Sequence, residues 1–168
     1  MQIAFILSQK RDEANDLLRV LAQDLLVQGY SLCGCVQSSC QGQDRRSCDM
    51  DLRLIPSEKF IRISQNLGRE ARGCRLDSAA LEQAVALLEQ DLKPSCDLLI
   101  INKFGKHEAE GRGFATLIAS AIEQKIPVLL AVNALNHQDF LDFAGDYAQQ
   151  LCADYSALKD WVLKQFEP

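Results

Sequence analysis

Asn102, Lys103, Lys106 and Arg112 stand in one stretch, Asn102-Lys103-Phe104-Gly105-Lys106-His107-Glu108-Ala109-Glu110-Gly111-Arg112-Gly113, directly after four aliphatic residues, Leu98 to Ile101. Ammonium and guanidinium groups donate charge-assisted hydrogen bonds to oxyanions, an amide adds donors, and glycine lets the backbone approach a ligand. The chemistry this favours is the holding of an anion. Gln65 to Leu76 has a similar makeup, with Gly68, Gly73, Arg69, Arg72 and Arg75 in a protein of net charge -5. Lys10 and Arg11 follow the first apolar run and offer a third attraction for negative charge. The candidate ligand-binding residues are therefore Lys103, Lys106, Arg112, Arg72, Arg75, Asn102, Gln65 and Lys10.

Hydrolytic chemistry is poorly supplied. A phosphate-cradling loop after a first strand needs close-packed glycines and a Gly-Lys-Ser/Thr triplet. The segment there reads Leu7-Ser8-Gln9-Lys10-Arg11-Asp12-Glu13, without a glycine. At the end of Leu98 to Ile101 a nucleotide hydrolase places an acidic pair for magnesium and water. Asn102 and Lys103 occupy it instead, and neither supplies anionic oxygen to a hard cation. No catalytic residue is assigned, and the sequence names no cofactor.

Other reactive side chains have plain alternatives. Lys103, Lys106 and Arg112 have Glu108 and Glu110 as nearby partners, and exposed pairs contribute only about 0 to 1 kcal/mol. Asp49 and Asp51 share one face of an alternating segment, which suits a solvated strand as well as a cation. Seven cysteines is a high count, yet Cys33, Cys35, Cys40 and Cys48 lack paired C-x-x-C knuckles, so reduced thiols and no metal site are expected. Cys74 lies between Arg72 and Arg75, which would favour its thiolate, or it is simply buried. His107 has no His or Cys close by in sequence.

Periodicity supplies the elements that position these groups. Ile3 to Leu7 reads as a strand, followed by a helix capped by Asp12, carrying Leu17, Leu18, Leu21, Leu25 and Leu26 and ended by Gly29. Tyr30 to Gln37 is a second strand. Alternation from Cys48 to Leu54 and from Lys59 to Ser64, joined at Pro56-Ser57, predicts an antiparallel hairpin over about 48–64. A helix capped by Asp77 or Ser78 bears Leu81, Val85, Leu88 and Leu92, and the strand Leu98 to Ile101 then opens into the charged loop. A helix over about Phe114 to Gln124, a strand from Pro127 to Val132, a short helix near Phe140, a brief edge strand at Leu151 to Ala153 and a last helix, Ala157 to Phe166, complete the chain. The fold class is α/β: a mostly parallel sheet flanked by helices, with an inserted antiparallel β-hairpin. Ligands bind beyond the carboxyl ends of such strands.

With 168 residues and 48% hydrophobic composition, one domain over 1–168 is expected. The acidic balance argues against nucleic acid as a partner. Met1 to Leu7 has no basic segment before its short apolar run, and no run reaches membrane-spanning length; the expectation is a cytoplasmic protein without membrane insertion.

The charged stretch Asn102 to Gly113, with Cys48-Asp49-Met50-Asp51-Leu52, Arg62-Ile63-Ser64-Gln65 and Arg72-Gly73-Cys74-Arg75-Leu76-Asp77, resembles an uncharacterised bacterial family often encoded beside molybdate-transport genes. The likeness spans nearly the whole chain and is densest from Asp49 to Asn133. It implies a role around molybdenum. The order of elements is also similar to the small P-loop nucleoside-triphosphatases of the cancer-related type, whose acidic strand end is followed by Gly-Lys-Met-Glu. Gly105-Lys106-His107-Glu108 takes that position, while the phosphate loop and acidic pair are missing, so the motifs are degenerate. The resulting expectation is a non-hydrolysing P-loop-like protein. It would bind a small oxyanion such as molybdate, or a nucleotide, and serve molybdenum transport or homeostasis beside transport or cofactor-assembly proteins. Two alternatives stand: a magnesium-dependent nucleoside-triphosphatase using Asp49, Asp51 or Glu108, and an adaptor without a small ligand.

Overall fold

Consecutive apolar residues must be covered on both faces, and the central strands owe their place to this. The computed structural model of the chain describes residues 3–8, 13–38, 50–65 and 76–167. Its sheet contains β1 (Ile3–Ser8), β2 (Leu32–Gln37), β3 (Asp51–Ile55), β4 (Phe60–Arg62), β5 (Leu98–Phe104), β6 (Val128–Asn133) and β7 (Ala148–Leu151), in the order β4-β3-β2-β5-β6-β1-β7. From β2 to β7 all neighbours are parallel. β3 and β4 form the expected antiparallel hairpin and extend the sheet from β2.

The helices are α1 (Glu13–Val27), α2 (Ser78–Asp91), α3 (Lys106–Ala109), α4 (Ala115–Glu123), α5 (His137–Ala144) and α6 (Tyr155–Phe166). α1 and α6 cover one face, against Ala4, Ile6, Ile100 and Leu129. α2, α4 and α5 cover the other, against Phe5, Ile101, Leu130 and Val132. The strands alternate between these two cores, as a period of two requires. Among the described residues no helix is long and apolar enough to cross a membrane.

The helix ends follow from local chemistry. Gly29, at φ 90°, closes α1 with its N–H on Leu26 O at 3.0 Å, while Tyr30 N donates to Leu25 O at 3.1 Å. Asp77 caps α2, its Oδ1 accepting from Ala79 N and Ala80 N at 3.0 Å each. Asp12, the expected cap of α1, lies outside the described residues. Lys159 Nζ donates to Asp24 Oδ2 at 2.8 Å, and Tyr155 donates to the same oxygen, tying α6 to α1.

Two boundaries differ from the sequence reading. The edge strand is Ala148–Leu151 rather than 151–153, because the 3-10 turn Gly145–Tyr147 delivers the chain to β1 earlier, pairing Ile3 with Ala148. β5 continues past Ile101 to Phe104, and a helical turn, α3, follows where a charged loop was expected. The extension is possible because of a bulge. Ile101 pairs with Leu130 and Phe104 with Val132, three steps on β5 against two on β6. Without the extra residue, Lys103 would lie opposite Val132 and face the core; with it, Phe104 does. The Phe104 ring meets Phe140 at 5.1 Å and Phe143 at 5.3 Å, which fixes α5 over the strand ends.

Gly34 is the tightest point of the sheet. Its φ is 123°, and a Cβ there would lie 1.9 Å from Ile100 O on the neighbouring strand. Gly34→Ala therefore forces β2 and β5 apart, with an expected loss of about 3 kcal/mol or more in chemical denaturation. Gly111→Ala, at φ 76° with open space around it, is the comparison and costs about 1 kcal/mol. Equal losses at the two positions would refute this account of the β2–β5 contact.

Candidate functional site

The carboxyl ends of β1, β6, β5 and β2 share one edge of the sheet, where open α/β sheets place their ligands. At this edge the β5 bulge sets Asn102 and Lys103 out of the regular ladder. Asn102 is only 5% exposed, so its amide needs partners. Cys35 Sγ donates to its Oδ1 at 3.6 Å, and its Nδ2 donates to Gln37 Oε1 at 3.4 Å. Burial pushes the Cys35 thiol up to about 12, so it remains a donor at neutral pH. Lys103 is exposed and forms no ion pair among the described residues. At the end of β6, Asn133 turns its Oδ1 onto Asn136 N at 2.9 Å and Asn136 Nδ2 at 2.7 Å, leading into α5.

Glu108 organises the turn beyond β5. It is 4% exposed, and its two carboxylate oxygens accept from different backbone amides, Gly105 N at 2.9 Å and Phe114 N at 3.1 Å. The first contact is the Glu half of a capping box, the N3 carboxylate reaching back to the N-cap N–H, since Gly105 has no side chain to complete it; the second draws the chain back into α4. Gly113, at φ 57°, lies so close that a Cβ would sit 2.3 Å from Glu108 Oε1, and its N–H donates to Glu82 Oε1 at 3.0 Å. His107 Nε2 lies 3.3 Å from Ser78 Oγ, joining α3 to the start of α2.

This arrangement divides the basic residues. Glu110 takes a hydrogen bond from Arg112, and Lys106 Nζ lies 3.8 Å from its other oxygen. The Arg112 guanidinium, helped by Lys106, holds the Glu110 carboxyl below its ordinary range. Lys106 and Arg112 thus share the single carboxylate of Glu110, and Glu108 adds a second negative charge to the same turn, which leaves little net attraction for an anion. Lys103 has no such partner among the described residues.

The remaining candidates are spread out or not placed. Gln65 is exposed just beyond β4, at the same edge as Lys103, but three strand spacings from β5, about 14 Å. Lys10, Arg72 and Arg75 lie outside the described residues, as do Asp49, Cys40, Cys48 and Cys74. Asp51 Oδ1 pairs with Arg62 Nε at 3.0 Å. The sequence reading missed Gln37 and Cys35 as partners of Asn102, a contact between distant residues that no local pattern announces. It could have found the role of Glu108, since a carboxylate three residues after Gly105 is a helix-start pattern.

If Glu108 is a backbone clasp, Glu108→Ala strands two buried N–H groups and should cost about 2 to 4 kcal/mol in urea denaturation, with Glu108→Gln losing about half as much. A melting curve unchanged in Glu108→Ala would remove the clasp from the account.

Comparison with known proteins adds the following. The chain is 33% identical over 162 residues to the molybdenum import ATP-binding protein ModC 2 of Bradyrhizobium diazoefficiens, an alignment covering 95% of this chain and 18% of that protein. The chain thus spans under a fifth of that relative's length. The crystal structure of THEP1 from the hyperthermophile Aquifex aeolicus superposes with a TM-score of 0.64 at 13% identity, covering 99% of this chain and 96% of the other. At that identity the likeness shows the fold alone, a helix-flanked, mostly parallel sheet with an antiparallel pair at its edge. The family model described as Protein of unknown function (DUF2478) matches residues 3–161, in agreement with the resemblance carried by the sequence motifs, and the chain belongs to that family.

Proposed function

We propose that the protein binds a small oxyanion, molybdate in the first instance, or the phosphates of a nucleotide, without hydrolysing it, as an accessory to molybdenum transport or homeostasis. The observation that carries this reading is Lys103, without an ion-pair partner among the described residues, beside the buried Asn102 at the strand end where a hydrolase needs carboxylates. An ammonium and amide donors attract an anion and repel magnesium. The molybdenum connection is supported by a relative named for molybdenum import. In this reading Lys103 supplies the charge, and Lys106 and Arg112 contribute after Glu110 releases them. Arg72 and Arg75, with Gln65 and Lys10, complete the proposed ligand set.

Hydrolysis draws less support. Both oxygens of Glu108 are spent on backbone amides, and Asp51 is paired with Arg62. A protein-binding role has one observation in its favour: the matched stretch is 18% of a much longer relative, so a homologous stretch exists there as part of a larger protein. Pull-down with molybdate-transport proteins, with and without molybdate, separates an adaptor from an anion binder.

Calorimetric titration with molybdate, tungstate, sulfate, phosphate, ATP and GTP tests the main reading. At least one of these is expected to bind below millimolar concentration, with no magnesium-dependent phosphate release from ATP. Lys103→Ala and Arg72→Ala should each weaken binding about tenfold, the scale of one charged hydrogen bond, while the melting temperature stays nearly constant. Absence of binding by all six compounds would sink the proposal.

A further inference from the structure

The two edges of the sheet are finished differently. At one, β4 is three residues long, carries Arg62 in an ion pair with Asp51, and runs into a segment bonded by the returning chain, where Ser64 bridges Leu76 and Asp77 N donates to Ile63 O at 2.8 Å. Shortness, charge and cover are what keep an edge from pairing with another chain. At the other edge β7 reads Ala-Gln-Gln-Leu, without charge or proline. It pairs with β1 on its inner side, and among the described residues its outer side pairs with nothing.

A groove runs between β7 and α6, lined by Gln149, Leu151 and Trp161 together with Asp160 and Lys164. α6 returns along the strand it follows: Trp161 Nε1 donates to Gln149 Oε1 at 3.0 Å, and Ala157, nearer the helix start, lines the groove with Leu151. The bonds from Lys159 and Tyr155 to Asp24 hold this helix in place. Asp160 and Lys164 are exposed one turn apart, and neither forms an ion pair among the described residues.

We propose that β7 is a pairing edge for a second copy of this chain, the two sheets joining antiparallel about a two-fold axis through Gln149, with Asp160 of each α6 facing Lys164 of the other. Opposed residues of an antiparallel pair point to the same face, and an axis perpendicular to the sheet keeps each face on its own side. The axis therefore passes through a residue, which leaves Gln149 or Gln150 at the middle of β7. The helix charges choose between them. Gln149 stands level with Trp161, within one helix residue, about 1.5 Å, of the midpoint between Asp160 and Lys164. An axis at Gln150 moves that midpoint about two helix residues toward the start of α6, where Asp160 approaches its own copy instead of Lys164. Centred on Gln149, the pairing also sets Tyr147, 55% exposed directly before β7, opposite Leu151 of the second copy. Four residues of strand bury less than the roughly 800 Å² that each partner of a stable complex gives up, so α6 has to share the contact.

Sedimentation equilibrium of the full chain should give the mass of two chains at about 100 µM. Asp160→Lys and Lys164→Asp each oppose like charges at both symmetric pairs and should weaken the dimer about tenfold. The double variant Asp160→Lys/Lys164→Asp should restore it, and an equal mixture of the two single variants should form the mixed dimer in preference to either alone. Cross-linking checks the register independently of the charges. In a chain with Cys40, Cys48, Cys74 and Cys152 replaced by Ser, Gln149→Cys should form a disulfide with its own copy under mild oxidation, and Gln150→Cys should do so much more slowly, because residue 150 lies opposite residue 148. A chain that is monomeric at this concentration, a dimer that no charge variant alters, or equal cross-linking at the two positions overturns the inference. If the chain is monomeric and Asp160→Lys loses a protein that the unmodified chain captures, the groove belongs to that partner and the inference falls as well.

Discussion

One extra residue in β5 sets the terms for everything at the carboxyl edge. Three steps on β5 meet two on β6, and this change of phase decides which side chains the core receives. Phe104 enters the apolar cluster and meets Phe140 and Phe143, so α5 is docked by an aromatic contact rather than by its short length of helix. The same shift frees Lys103 from facing Val132, where a buried ammonium would be costly. Asn102 stays inside and has to be satisfied there, which it achieves through Cys35 and Gln37 on β2. Position of the charge, docking of a helix and the buried amide therefore share one cause.

The second constraint is the closure of the segment after β5. Glu108 spends both oxygens on Gly105 and Phe114, converting what reads as a charged loop into a short helix and a fixed return to α4. A carboxylate committed in this way does not act as a general base without first leaving two buried amides unpaired. The exposed charges near it are settled in a similar manner, with Arg112 and Lys106 sharing Glu110. Among the described residues of β2 and β5 at this edge, the Lys103 ammonium and the Gln37 amide nitrogen are left without a partner.

Most of the fold could be read from the chain, because most of it is set by local pattern. The apolar runs at Ile3, Leu98 and Val128, the leucine stripe of α1 with Gly29 behind it, the Asp77 cap and the alternating hairpin all became the elements they suggested. The end of β5 was less legible. Asn102 and Lys103 are polar, and polarity after four aliphatics marks a strand end when a polar side chain has no buried partner; here it has one, supplied by residues 65 and 67 positions away. Pairing within Lys106 to Arg112 was open to the sequence as an alternative, since oppositely charged side chains at such spacings meet on a helical turn. The choice of which cation would remain unpaired depended on the bulge, which no composition or period reveals.

The comparison with THEP1 shows how these two kinds of information separate. At 13% identity the sheet and helices are retained, because they need only apolar side chains of suitable size in the right alternation. The edge residues answer to chemistry, and here an amide and an ammonium stand at the strand end. A shared scaffold thus carries little information about reaction type. The function of this chain has to be argued from what its edge offers to a ligand, and what it offers is donors. Among the described residues the strand end presents an ammonium and an amide, groups that suit an anion better than a hard cation, and this chemistry, not the scaffold, is the ground on which the anion-binding proposal stands.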